Sequence, residues 1–145
     1  MIFRENAVLR WSPRLEENVS VREDEDKIIF SNSGGKAEAK MLFSADDVES
    51  WLDGYGVDLG HEEVLVLDDI VVEPKSRGTG LGAELMQAVI TYAKSAGAEA
   101  VYLNASPTST TDKGEKVEGL IAFYEKFGFQ MKKKYSDNAF MCLTL

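Results

Sequence analysis

Apolar positions along the chain recur first at a strand period and later at a helical one, and the changes of period mark out its elements. From 18 to 43, short apolar runs alternate with turn signals. Val19-Ser20-Val21 and Ile28-Ile29-Phe30 flank the acidic cluster Glu23-Asp24-Glu25-Asp26, which suits a solvated hairpin turn. A second turn, Asn32-Ser33-Gly34-Gly35, precedes the alternating Ala37, Ala39, Met41 and Phe43, so the region predicts an antiparallel meander. Ser44, with Asp47 three residues on, makes a capping box in which Asp stands for the usual Glu. It predicts a short helix carrying Val48, Trp51 and Leu52 on one face and stopping near Gly54.

Val64 to Val72 is a strand of strong β-formers interrupted by Asp68 and Asp69. A Gly-rich turn follows, and a helix begins close to Gly80, with Leu81, Leu85, Ala88, Val89, Tyr92 and Ala96 at helical spacing and Gly97 as its stop. Ala100-Val101-Tyr102-Leu103 predicts another strand, leading into a polar loop from Ser106 to about Lys116. A helix with Leu120, Ile121, Phe123, Tyr124 and Phe127 ends at Gly128, and two strands close the chain, 129–134 and 139–145, joined by Ser136-Asp137-Asn138. The order β-β-β-α-β-α-β-α-β-β places one strand–helix–strand crossover within otherwise antiparallel pairing. It predicts a single mixed α/β (α+β) domain over 1–145, with a central, mostly antiparallel twisted sheet flanked by about three helices.

Composition narrows the function classes. The formal charge of −9 argues against general nucleic-acid binding, which draws its affinity from a basic face, and leaves room for a cationic partner. Lys132-Lys133-Lys134 is then a solvated strand segment. The lone cysteine, Cys142, excludes an intrachain disulfide and a multi-cysteine zinc site, and its apolar surroundings place it in the core. Neither a signal-like start nor a membrane span is visible, so a cytoplasmic location is expected.

The candidate chemistry sits in Arg77-Gly78-Thr79-Gly80-Leu81-Gly82-Ala83. This run follows a strand, opens a helix, and puts glycine where backbone must approach a ligand closely. The first N–H groups of a helix lack intrahelical partners and carry partial positive charge, so a diphosphate fits there, with Arg77 adding a full charge. Gly78-x-Gly80-x-x-Ala83 also satisfies a dinucleotide fingerprint, with Glu99 about twenty residues on. Glu99, however, starts the next strand instead of ending it, and the charged stretch 73–77 makes the turn too long for that motif.

Two motifs decide between these readings. Asp69-Ile70-Val71-Val72-Glu73-Pro74 followed by Arg77-Gly78-Thr79-Gly80-Leu81-Gly82 resembles the acetyl-CoA signature of the GNAT superfamily of N-acetyltransferases. Phe123-Tyr124-Glu125-Lys126-Phe127-Gly128-Phe129 resembles that family's second hallmark, a helix ending in Tyr-Glu-Lys-x-Gly-Phe. Together they cover about 64–131. The resemblance implies a metal-free transfer of acetyl from acetyl-CoA to a primary amine, by direct attack in a ternary complex. It implies that backbone groups of Ile70, Val71 and Val72 pair with the pantetheine arm, and that amides from Gly78 to Ala83 hold the pyrophosphate. An N–H near Val72 would polarise the thioester carbonyl, and Tyr124 would protonate the leaving thiolate. Two features depart from the family. Val117 stands where many members carry Asn, and the first 43 residues show no amphipathic helix of the kind that walls the acceptor site; the helix at 45–53 and the loop 106–116 are the substitutes.

An alkyl amine is protonated at neutral pH and must lose a proton before it attacks. Asp68 is the first candidate base, since period two sets it on the face of Val66, Ile70 and Val72, with Asp69 on the other; Glu62 and Glu63 are alternatives. Asn104 could position a water or the acceptor. His61, beside Gly60, is a loop residue. A non-catalytic acyl-CoA-binding module is the competing reading, and the sequence leaves a homodimer open.

Overall fold

The computed structural model describes residues 18–73, 78–107 and 117–145. Seven strands form one open sheet among them: β1 (Ser20–Asp24), β2 (Lys27–Asn32), β3 (Gly35–Leu42), β4 (Val64–Val72), β5 (Ala100–Ala105), β6 (Gln130–Lys134) and β7 (Ala139–Thr144). Their spatial order is β1-β2-β3-β4-β5-β7-β6. Every neighbouring pair is antiparallel except β4 and β5. Among the described residues three helices, α1 (Ala45–Asp53), α2 (Leu81–Ser95) and α3 (Val117–Glu125), fall where the helical spacing puts them. The mixed α+β architecture read from the sequence is the one observed.

Local signals explain the boundaries. Ser44 accepts a hydrogen bond from the Asp47 N–H at 3.2 Å, which supplies one of the partners that the first turn of α1 lacks. Gly97 after α2 and Gly128 after α3 adopt φ of 86° and 99°, the left-handed conformation that reverses a chain leaving a helix.

The sheet is covered on both faces. Leu85, Met86, Val89 and Tyr92 of α2, with Ile121 and Tyr124 of α3, pack on Ile28, Phe30, Leu65, Leu67, Val101, Leu103 and Met141. Val48 and Leu52 of α1 cover Val64, Val66, Tyr102, Phe140 and Cys142 on the opposite face. Successive residues of β4 therefore alternate between two apolar layers, which is why Val64-Leu65-Val66-Leu67 reads as an unbroken apolar run. Burial pushes the Cys142 thiol up, as befits an inert core cysteine.

One irregularity interrupts the pairing of β3 with β4. Glu38 of β3 pairs with Asp69, but its neighbour Ala39 pairs with Leu67, so Asp68 is an extra residue in β4, a β-bulge. The bulge reverses the facing of the rest of the strand. Ile70 and Val72 pack with Leu65 and Leu67 on the α2 side, not with Val66. Asp69 pairs with Glu38, which lies between the inward-facing Ala37 and Ala39, so it takes the α1 side together with Val66. The expected period-two placement is thereby corrected in part: Asp68 keeps the face of Val66, near Lys40 and Glu38, but Ile70 and Val72 leave that face and Asp69 joins it. An uninterrupted alternation does not survive the inserted residue.

Candidate active site

Pairing between β4 and β5 runs from Val64 with Ala100 to Leu67 with Leu103 and stops there, although both strands continue. Beyond that point β5 stays bonded to β7 and β4 to β3. A cleft of about 690 Å³ opens between them, lined by the segment 68–72 of β4, by Gly78, Gly80, Gly82 and Ala83, by Asn104, and by Phe123 and Tyr124 of α3. That volume is typical of a small-molecule site.

The β4 wall offers backbone groups. Glu73 donates its N–H to Gly34 at 2.8 Å, and antiparallel bonding alternates from there. Val71 and Asp69 exchange with β3, which turns the N–H and C=O of Ile70 and Val72 toward the side that β5 has left. Val71 contributes a side chain instead, 45% exposed.

The mouth of the cleft is the start of α2. Gly78 and Gly80 hold φ of 79° and 88°, and Gly80 caps α2 without any side-chain hydrogen bond. The Glu84 N–H is the first to find a helical partner, Gly80 C=O at 3.0 Å, so the amides of Leu81, Gly82 and Ala83 precede the intrahelical ladder. A Cβ on Gly82 would stand 3.3 Å from Val72 Cγ2 and 3.7 Å from Phe123 Cζ. Glycine there lets the helix end close on both walls. Thr79 and Leu81 belong to the same turn; Arg77 lies outside the described residues.

Tyr124 is buried, with Phe123 and Phe129 packed edge-to-face on it at 5.2 and 5.9 Å. It is at once a core residue and a wall of the cleft. Across from it, Asp68 lines the opening. Partial burial is the largest influence on its carboxyl and pushes the pKa up; Lys40 and Lys27 pull it down, while Glu38 and Asp69 add to the rise. Asn104 accepts a hydrogen bond from the Asn138 carboxamide at 2.9 Å, and its own amide nitrogen has no protein partner among the described residues.

Other candidates lie elsewhere. Glu99 accepts from the backbone N–H groups of Glu62 and Glu63 at 2.6 and 3.2 Å, bonds that lower its pKa. It thus anchors the start of β4, at the opposite end from the glycine turn and beyond reach of a ribose held there. Glu62 and Glu63 share that far end and do not line the cleft. His61 lies in the loop as expected, yet its Nδ1 is 2.6 Å from the Tyr102 hydroxyl, a contact no local pattern signals. Among the described residues no group of three or more His, Cys, Asp or Glu side chains could hold a metal ion. No helix among them is long and apolar enough to cross a membrane.

A cleft between splayed strands, closed by a glycine turn at a helix N-terminus, agrees with what comparison finds. The acetyltransferase (GNAT) family matches residues 13–129, and the chain belongs to that family. It is 30% identical over 113 residues to an uncharacterised N-acetyltransferase of Methanocaldococcus jannaschii, a match covering 78% of this chain and 43% of that protein. The chain thus spans under half the length of that curated relative. Among solved structures it is similar to the anti-CRISPR protein AcrVA5 (TM-score 0.54, 20% identity, 81% of this chain and 98% of that one). It is similar as well to Arabidopsis thaliana NAA60 in complex with acetyl-CoA (TM-score 0.55, 15% identity, 82% and 76%). At these identities the structural likeness establishes the fold.

Proposed function

We propose that the chain transfers an acetyl group from acetyl-CoA to a primary amine by direct attack in a ternary complex. The observation that carries this reading is the parting of β4 from β5 beside a helix end that has no side-chain cap. Ile70 and Val72 present backbone groups that an extended pantetheine arm would meet as an added strand. Amides at the start of α2 suit its pyrophosphate. The acetyl-CoA complex of the Arabidopsis protein, which shares this fold, supports the same choice of donor.

The chain's own groups then divide the chemistry. Asp68 accepts the proton from the incoming ammonium, directly or through water held by Asn104. A backbone N–H near Val72 polarises the thioester carbonyl and steadies the negative charge that builds on its oxygen as nitrogen attacks carbon. Tyr124 donates its phenolic proton to the sulfur as the C–S bond breaks. A carboxyl raised by burial is better matched to taking a proton near neutral pH than one at its ordinary value.

Thiol release from acetyl-CoA across a panel of amines tests the activity; stabilisation by acetyl-CoA with no release for any amine would favour a binding module. For the base, Asp68→Asn is expected to reduce kcat/KM by about 10²-fold near pH 7. In wild type the loss of activity on acidification follows protonation of Asp68. Above that point the carboxylate works while the amine is still charged, so the deficit of the variant is largest there. It closes toward pH about 10, where the amine deprotonates unaided. Superimposable pH profiles for the two proteins would remove Asp68 from the role.

A further inference from the structure

A second concavity, of about 510 Å³, lies on the α1 side of the sheet and is lined by Trp51, Gly54, Tyr55, Tyr135 and Asn138. Its walls are aromatic and mutually inclined. Trp51 and Tyr55 lie 5.1 Å apart at 41°, and Tyr55 and Tyr135 6.3 Å apart at 48°. Tyr102 and Phe140, both buried, back Trp51 at 5.5 and 5.4 Å. Tyr55 is itself stacked on Phe140 at 4.8 Å and 23°, so one of its faces is covered. The rings of Trp51, Tyr55 and Tyr135 border the concavity at an incline to one another as an open aromatic cage, a surround that suits a compact cation.

Charge selects the same occupant. From Ser44 to Glu63, the stretch that supplies Trp51, Gly54 and Tyr55, there are seven carboxylates (Asp46, Asp47, Glu49, Asp53, Asp58, Glu62, Glu63) and no lysine or arginine. On β6, Lys134 is paired with Glu118 at 3.6 Å, and Lys133, in register with Phe140, shares the α1 side, so the acidic excess of this face comes from the segment 44–63. A cation approaching this face is drawn in by the field of the segment. The Asn138 carboxamide, whose N–H is given to Asn104, presents its carbonyl oxygen as an acceptor for an ammonium.

The two cavities are neighbours. Trp51 lines both, and the Asn138–Asn104 hydrogen bond joins the rim of one to the wall of the other. Resting on the acetyltransfer reading above, we infer that the acceptor is a short alkyl diamine. One ammonium sits in the cage of Trp51, Tyr55 and Tyr135 while the other end enters the cleft beside Asp68 and is acetylated. The cage contributes to selection and takes no part in bond making.

The test compares 1,5-diaminopentane with 1-aminohexane, which has the same length but a methyl group where the second ammonium stands. Wild type is expected to favour the diamine in kcat/KM by roughly tenfold, the scale of a desolvated cation–π contact. Tyr135→Leu should bring that ratio near one, and Tyr135→Phe, which keeps the ring, should preserve it. Equal or better use of 1-aminohexane would overturn the inference by showing an apolar seat, and would leave acetyl transfer standing. If no amine releases thiol, the activity reading fails, and calorimetric titration of 1,5-diaminopentane reads the cage alone. Saturable binding lost in Tyr135→Leu supports the cage, and no binding to wild type overturns it.

Discussion

Replacing Gly82 by valine is expected to weaken acetyl-CoA binding about 10²-fold while leaving the chain folded. The cause is steric and close to the donor site. Even a bare Cβ at 82 would stand 3.3 Å from Val72 Cγ2, and the ring of Phe123 closes the other side at 3.7 Å. A branched side chain needs more room than that, so the start of α2 must move away from β4. The amides at the helix end and the backbone edge of Ile70 and Val72 then no longer fit one ligand together. Overpacking of this kind costs about 1–3 kcal/mol, and a lost hydrogen bond to a charged group about 1.5–3 kcal/mol. A combined loss near 3 kcal/mol is the 10²-fold stated.

Thermal melting reads it. With acetyl-CoA at 100 times its Kd, wild type gains about 2.7 kcal/mol, several degrees in Tm. The valine variant at that concentration is near its own Kd and gains about 0.4 kcal/mol. Gly119→Ala is the control, because a Cβ there meets nothing within 4 Å. Helix propensity should raise its Tm slightly, with the acetyl-CoA shift intact. Equal shifts in wild type and Gly82→Val would disprove the placement of the pyrophosphate.

Tyr124→Phe should lower kcat roughly 10²-fold and leave acetyl-CoA affinity within about twofold. The ring that packs between Phe123 and Phe129 is retained, so only the hydroxyl is lost. General acid help spans about 10²–10⁴-fold, and the lower end applies here. A thiol has a pKa near 8.5 against about 10 for a phenol, so the thiolate leaves tolerably without a proton. The deficit should shrink with a donor thioester whose thiol is more acidic. Unchanged turnover of the best acceptor would exclude Tyr124 as the acid.

Much of this was legible in the chain because it depends on local chemistry. Ser44 and Asp47 announce the start of α1, Gly97 and Gly128 the ends of the later helices, and Gly78 and Gly80 a turn that only positive φ allows. The element order and the mixed sheet follow from those signals and from the change in hydrophobic period. Asp68 shows where local reading stops. Its bulge depends on register with Glu38 and Ala39, some thirty residues earlier, and nothing within β4 reports it. The aromatic cage was equally hidden. Trp51 reads as part of the apolar face of a short helix, while Tyr55 falls just past its stop at Gly54 and Tyr135 between a strand and a turn, and only the fold makes them neighbours. The bond from His61 to Tyr102 likewise joins positions 41 residues apart.

The inserted residue at 68 also makes β4 far more tolerant of substitution than of deletion. Removing one residue there would erase the bulge at the point where β4 parts from β5, while Leu67, Asp69 and Ile70 kept their partners on β3 and Ile70 and Val72 their place in the α2 layer. The bend that splays the two strands would be lost, and the cleft between them would narrow. A change of side chain at 68 leaves that geometry in place and alters only the chemistry at the opening. Strand length and site chemistry are thus separately adjustable: the extra residue holds β4 away from β5, and its side chain sets what faces the opening.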